Sequence, residues 1–227
     1  IGSWNVSIVI NMYFMFYGAT SFNQPIGNWD VSNVTDMSYM FHGATSFNQS
    51  IDNWDVSNVT NMGYMFYQAE SFNQPIGSWN VSIVINMYFM FYGTNYSSSN
   101  YDNLLQGWSQ LMLQSGVVFD IPNTNYCTST EARQLIIDNF GWIISDEGYE
   151  SCFTPITDTN FKEAINTCLS TNPIDGMCSD SEYGVMPNWD VSQVIDMSNA
   201  FQDRDNFNVD ISSWDVISVN SMRQTFK

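Results

Sequence analysis

The string WDVSNVTDMSYMFHGATSFNQS, residues 29 to 50, decides how the chain is read, because nearly the same string restarts at Trp54 and is traceable from Trp4 and Trp79. The period is 25 residues. Trp4, Trp29, Trp54 and Trp79 form one column, and Val6, Val31, Val56 and Val81 a second. Met12, Met37, Met62 and Met87 form a third, and Phe16, Phe41, Phe66 and Phe91 a fourth. The phase resumes downstream with Trp189 and Trp214, Val191 and Val216, Met197 and Met222, Phe201 and Phe226. A period of this length signals a solenoid, in which each unit buries its apolar side only against the next. Residues 1–18 are identical to residues 76–93, so the repeats read as nearly interchangeable scaffolding.

Composition narrows the partners. Hydrophobic residues make up 44% of the chain, ample for a packed core. Asp and Glu total 23 against five Lys and Arg, and residues 1–132 carry eight acids and no base. Phosphate recognition needs clustered cations, which argues against nucleic acid as a partner and against attraction to an anionic membrane. No apolar run reaches the ~18 residues that span a bilayer, so membrane insertion is not expected. Only 12% of residues are charged, so the surface is made of Asn, Ser, Thr, Gln and Tyr, as suits an extracellular or cell-surface protein. All four cysteines, Cys127, Cys152, Cys168 and Cys178, fall between the two repeat blocks. That placement fits disulfides stapling irregular segments in an exported protein.

Along the chain, coils occupy residues 1–94. Their apolar spacing is neither helical nor simply alternating, and the M-x-x-M-F segment, such as Met37 to Phe41, is the expected strand because aromatics cluster there. After Gly93 the phase is lost. Leu104, Leu105, Trp108, Leu111 and Met112 share a helical face with Gly116 as terminator. A strand is expected at Val117 to Phe119. Thr128 and Glu131 have capping-box spacing before a helix that Gly141 ends, and Trp142 to Ser145 reads as another strand. Residues 95–152 therefore read as a closing cap, and 1–152 as the first domain. Residues 153–227 read as a second, with an amphipathic helix over Thr157 to Thr171 opening a second array. Four cysteines allow three connectivities. Cys168 with Cys178 and Cys127 with Cys152 is favoured, since each bridge then stays within one structural unit. In repeat phase, eight residues would join Lys227 to Ile1 of another copy, which raises a longer protein built of such modules.

The pattern W-D-V-S-N-V-T-D-M-S-Y-M-F followed by F-N-Q resembles the BspA-like leucine-rich-repeat surface proteins of bacteria, over residues 1 to about 94 and 183 to 227. On the general leucine-rich pattern Met37, Met40 and Phe47 fit apolar sites, while His42 stands where Leu is expected and Thr45 where Asn is expected. The resemblance implies an α/β repeat: a leucine-rich-repeat-like, right-handed solenoid with short parallel strands, here interrupted by a disulfide-stapled helical cap region. It implies no defined activity.

Catalysis has little to work with. The single histidine, His42, occupies a column otherwise filled by Tyr17, Tyr67 and Tyr92, a poor home for a general base. No catalytic or phosphate-binding fingerprint is present, and no enzyme is expected. Asp30, Asp36 and Asp55 belong to acid columns, and Asp203, Asp205 and Asp210 to an acid-dense stretch. Calcium is one candidate ligand for them. Asn replaces Asp freely in these columns, however, so capping of turn amides is the stronger reading. Asn23, Asn48, Asn73 and Asn208, each after Phe, read as an internal hydrogen-bonded ladder. Among six N-x-[ST] sequons, Asn95 is the first glycosylation candidate because it lies in a polar loop, followed by Asn33 and Asn58. Tyr17, Tyr39, Tyr64, Tyr67 and Tyr92 belong to columns that either line one lateral surface or pack between coils. The reading that follows is an extracellular structural or adhesive scaffold acting on other proteins, including copies of itself. Its alternative is a recognition module for glycans or host receptors.

Overall fold

The repeats of residues 1–94 lie one above another in the computed structural model of the protein, which describes residues 1–178 and 181–227. Single-residue parallel bridges join Asn11 to Asp36, Asp36 to Asn61 and Asn61 to Asn86. From there the backbone alternates. Met37, Tyr39, Phe41 and Gly43 donate their N–H groups across to Asn61, Gly63, Met65 and Tyr67 carbonyls of the next repeat at 2.7–3.0 Å. The residues between them bond locally, Met40 N–H to Met37 O and His42 N–H to Tyr39 O.

This corrects the strand expected at Met37 to Phe41, which is a run of overlapping turns. A pleated strand sends successive side chains to opposite faces, whereas Met37, Met40 and Phe41 must all go inside, and all three are fully buried. Positive φ at Tyr39 (57°) folds the backbone back to achieve this, and the same conformation recurs at Phe14, Tyr64, Phe89, Asn199 and Gln224. Each repeat thus forms a turn ladder whose cross-repeat hydrogen bonds replace a sheet.

The interior is a set of ring columns. Phe16, Phe41, Phe66 and Phe91 stack at 5.4–5.7 Å, and each coil's second Phe packs flat against the first, as Phe47 does on Phe41 at 4.0 Å. Trp54 and Trp79 donate Nε1–H to the Ile26 and Ile51 carbonyls of the preceding repeat, so the indoles lose no hydrogen bond on burial. Burying one such ring is worth about 2–3 kcal/mol. The Phe-Asn ladder is present for Asn23, Asn48 and Asn73 but at the surface rather than internal, and Asn208 N–H donates to Ile174 O instead. Asn48 N–H donates to Asn23 Oδ1, Asn73 N–H to Asn48 Oδ1, and Ser97 N–H to Asn73 Oδ1.

The fourth repeat is closed by different structure. Helix α1 (Ser98–Trp108) is capped by the Ser97 side chain and lies so close to the coil that a Cβ on Gly107 would collide with Gly77 O. It starts and ends earlier than the sequence suggested, leaving Met112 exposed. Strand β1 (Val118–Asp120) pairs in parallel with β2 (Ile143–Ser145), and Phe119 bridges to Met87 at the stack's edge. Helix α2 (Thr130–Phe140) ends at Gly141 in the left-handed region. Its N-cap is Ser129, whose side chain does not cap the helix. The buried Asp102 carboxylate instead holds the turn that leads into the helix, accepting the Cys127, Thr128 and Ser129 N–H groups and the Ser129 hydroxyl.

The chain divides into two units, Ile1–Glu150 and Ser151–Lys227; the sequence reading places this division at 152/153. In the second unit, helix α3 (Phe161–Thr171) buries Phe161, Ala164, Ile165, Cys168 and Leu169. The Cys168–Cys178 disulfide joins its end to the following turn, and none of the chain's cysteines is free. Asp158 Oδ1 accepts the Ile195 and Asp196 N–H groups, closing the first edge of the downstream repeats. Those repeats stack as the upstream ones do, with Trp189 on Trp214 at 6.1 Å and Phe201 on Phe226 at 5.2 Å.

Candidate binding face

The positive-φ turn that buries Met37, Met40 and Phe41 also throws the intervening aromatics outward, and the 25-residue register lines them up. Phe14, Tyr39 and Tyr64 stack at 4.9 and 4.6 Å, with Phe89 next at 5.7 Å. Alongside runs a second ladder, Tyr17, His42, Tyr67 and Tyr92, at 4.6, 4.7 and 5.1 Å. The two ladders touch through Phe14 with Tyr17, Tyr39 with His42 and Tyr64 with Tyr67. Tyr13 and Tyr88 flank them, while Ser38 and Gly63 hold the equivalent middle positions. The structure therefore brings Tyr17, Tyr39, Tyr64, Tyr67 and Tyr92 together on one face. Tyr17 and Tyr92 are exposed and the other three half-buried.

His42 is a member of this face that sequence reasoning set aside as a repeat variant; its all-tyrosine column was the available signal. Its ring lies between Tyr17 and Tyr67, and its Nδ1 is buried without a partner among the described residues. Desolvation holds its pKa below the ordinary value of 6.5. Desolvation, followed by the neighbouring Tyr39, Tyr88 and Tyr67, raises the Tyr64 phenol. Neither ladder contains an acidic side chain, Lys or Arg; the Asp120 carboxylate lies beside one end, where it accepts the Phe89 N–H. Ring faces within each ladder are occupied by the next ring, so solvent meets ring edges and hydroxyls. A surface of this kind offers large, rigid contact area at low conformational cost, with hydroxyls that both donate and accept. Stacking of a sugar needs an open ring face, which the interior rungs do not present.

The other candidates are placed differently. Asp30, Asp36, Asp55 and Asp210 each accept the backbone N–H two residues on through Oδ1, and serine contacts lower the pKa of Asp30, Asp55 and Asp210. None of the six candidate calcium acids falls in a cluster of three or more His, Cys, Asp or Glu side chains close enough to share an ion, among the described residues. Asp203 and Asp205 line a shallow depression with Pro173, Arg204 and Phe207. The reason for preferring Asn95 as a sugar acceptor does not hold: its Nδ2 donates to Glu70 O, as Asn33 donates to Ser7 O and Asn58 to Ser32 O. All three amides are engaged in holding repeats together.

No curated protein and no solved structure matches the chain. A family model described as "Mycoplasma protein of unknown function, DUF285" matches residues 1–104 and 176–227. The match covers both repeat blocks and the binding face and leaves out residues 105–175.

Proposed function

The chain belongs to the DUF285 family, and on that premise we propose that it is a non-enzymatic, extracellular scaffold of the BspA-like kind, adhering to other proteins through its aromatic face. Its repeats are read as a leucine-rich-repeat-like, right-handed solenoid. The observation that carries the proposal is the pair of adjacent ring ladders from Phe14 to Phe89 and Tyr17 to Tyr92, exposed at their edges and free of charge. Tyr-rich, charge-poor patches are where binding hot spots concentrate. The closed ring faces favour protein over glycan as the partner. Calcium is not needed by this reading, because the column carboxylates are committed to turn amides.

Beads coated with the protein, tested on a panel of immobilised purified extracellular-matrix proteins and on a glycan array, distinguish the readings. Retention on proteins that falls about tenfold or more in the Tyr67→Ser, Tyr92→Ser double variant supports adhesion through this face, since each tenfold corresponds to about 1.4 kcal/mol. Retention on glycans alone would replace it with the recognition-module reading. Retention on proteins indifferent to both substitutions would move the contact elsewhere.

A further inference from the structure

We propose that the aromatic face carries two sites of oxidative cross-linking, Tyr39 with Tyr64 and Tyr67 with Tyr92, at which dityrosine bonds join consecutive repeats. Their formation depends on the phenols alone and not on what the face adheres to.

The 25-residue period sets like beside like, but the substitutions within each column decide which neighbours can react. In the ladder Phe14, Tyr39, Tyr64, Phe89 a single step sets phenol on phenol, and a phenylalanine bounds it on either side. In the ladder Tyr17, His42, Tyr67, Tyr92 the histidine separates Tyr17 from Tyr67, which leaves Tyr67 to Tyr92. Each ladder thus holds one couple of facing phenols. Tyr39 and Tyr64 stack at 4.6 Å with planes 9° apart, and Tyr67 and Tyr92 at 5.1 Å with planes 12° apart. Tyr39 and Tyr64 also share the same left-handed backbone, with φ of 57° and 58°, so one ring is nearly the translated image of the other. Its ortho carbons lie one rung from their counterparts. Cross-repeat hydrogen bonds hold the couples in place, Tyr39 N–H to Gly63 O and Gln68 N–H to Tyr92 O among them. Rings fixed in this way meet at an effective concentration that separate molecules do not reach.

The reaction balances with hydrogen peroxide as oxidant and a haem peroxidase to activate it. Each phenol gives up one electron and its hydroxyl proton. The two phenoxyl radicals join ortho carbon to ortho carbon, and the displaced ring hydrogens move to the oxygens, restoring both hydroxyls. One C–C bond replaces two C–H bonds, while the peroxide O–O bond breaks, takes up two electrons and two protons, and leaves as two waters.

Oxidant has a way in. Tyr88 and Tyr92 are exposed, and a radical formed at Tyr92 passes inward through rings in contact, since Tyr92 stacks on Tyr67 and Tyr67 lies 5.7 Å from Tyr64. Met37, Met40, Met62 and Met65 do not compete, because they are fully buried beneath the face. The Cys168–Cys178 disulfide belongs to oxidising surroundings, where such bonds form and persist. Residues 1–94 hold no cysteine, so the two bonds would tie the second repeat to the third and the third to the fourth where no disulfide can.

Peroxidase and hydrogen peroxide applied to the full 227-residue protein at micromolar concentration, followed by intact mass and peptide mapping after disulfide reduction, test this. A monomer lighter by two hydrogens per link, with dityrosine fluorescence, is expected, and its yield should not change on dilution. Tyr64 and Tyr67 share a peptide, so variants assign the links. Tyr64→Phe keeps a stacked ring and should remove the Tyr39 link while sparing Tyr67 with Tyr92; Tyr92→Phe should do the reverse. Near-UV circular dichroism qualifies each variant as folded. Amide exchange across residues 37–92 should slow by about tenfold or more in the linked monomer, as loop closure requires. Links only between copies, links at the edge-on Tyr64–Tyr88 contact in place of the stacked couples, a folded protein that yields none, or linked monomer with unchanged exchange would overturn the proposal.

Discussion

The repeats of residues 1–94 and the segment 95–150 that closes them solve the same problem by opposite means. In the repeats every contact is one of a series: Phe on Phe, Trp Nε1 on an Ile carbonyl, Asn Oδ1 on the next amide. There is no disulfide and no ion pair among them. The closing segment uses contacts that occur once. Asp102 gathers three backbone N–H groups and a hydroxyl, and Asp146 takes both the Tyr101 hydroxyl at 2.6 Å and the Arg133 guanidinium at 2.8 and 3.0 Å. Buried carboxylates therefore appear where the repeat ends, because irregular backbone leaves orphan amides that no neighbouring coil can satisfy. Burial, helped by the Asp146 carboxylate, raises the Tyr101 phenol far above its ordinary range, which keeps it a hydrogen-bond donor.

The comparison is most severely tested by Phe66→Ala. Phe66 is fully buried between Phe41 and Phe91, and its loss should cost about 4 kcal/mol in urea unfolding. A loss below about 1 kcal/mol would mean that neighbouring rungs close the gap, and that the series is more forgiving than its packing suggests. Asp102→Ala follows, at about 3 kcal/mol, because it removes at one stroke the acceptor of three backbone N–H groups and of the buried Ser129 hydroxyl. Hydrogen exchange should localise the effect to residues 98–140 and spare the repeats; uniform loss of protection would erase the distinction drawn here.

A comparable figure, about 3 kcal/mol, is expected on replacing both Cys168 and Cys178 by Ala, from the chain entropy of a closed loop with a sequence separation of 10 residues. Exchange rates should rise in residues 151–227 alone. Tyr64→Asn, two positions from Phe66, should change stability by no more than about 1 kcal/mol, because Asn relieves the left-handed backbone while the stacked ring is lost. Asn199 already occupies that conformation in the second unit.

The smallest effect concerns pH. His42 has a lowered pKa when folded, so the unfolded chain binds the proton more readily. Stability is then complete above the ordinary value of 6.5 and declines as pH falls through that range. His42→Tyr should flatten the decline in thermal melts between pH 7 and pH 5. A decline unchanged in that variant would place its origin elsewhere.

Periodicity made the columns legible, and with them the stacked Phe and Trp series and the Asn ladder from Asn23 to Asn73; cap residues located the helix ending at Gly141, while the sequence left open whether the tyrosines line a surface or pack between coils. The turn ladder at Met37 to Phe41 was not legible. An aromatic β-branched-poor segment between apolar anchors reads as a strand from composition, and only the requirement that Met37, Met40 and Phe41 share one side forces Tyr39 to positive φ. Asp102 was equally hidden, since nothing local ties it to amides 25 residues away.

What the sequence determined by itself is the register: a 25-residue period fixes which side chains meet, whatever the backbone between them does. What the tertiary structure alone decided is the direction each side chain takes and which rings of the columns face solvent. Both depend on where backbone hydrogen bonds go, and in this chain half of those in each turn cross to a neighbour that lies one full repeat away.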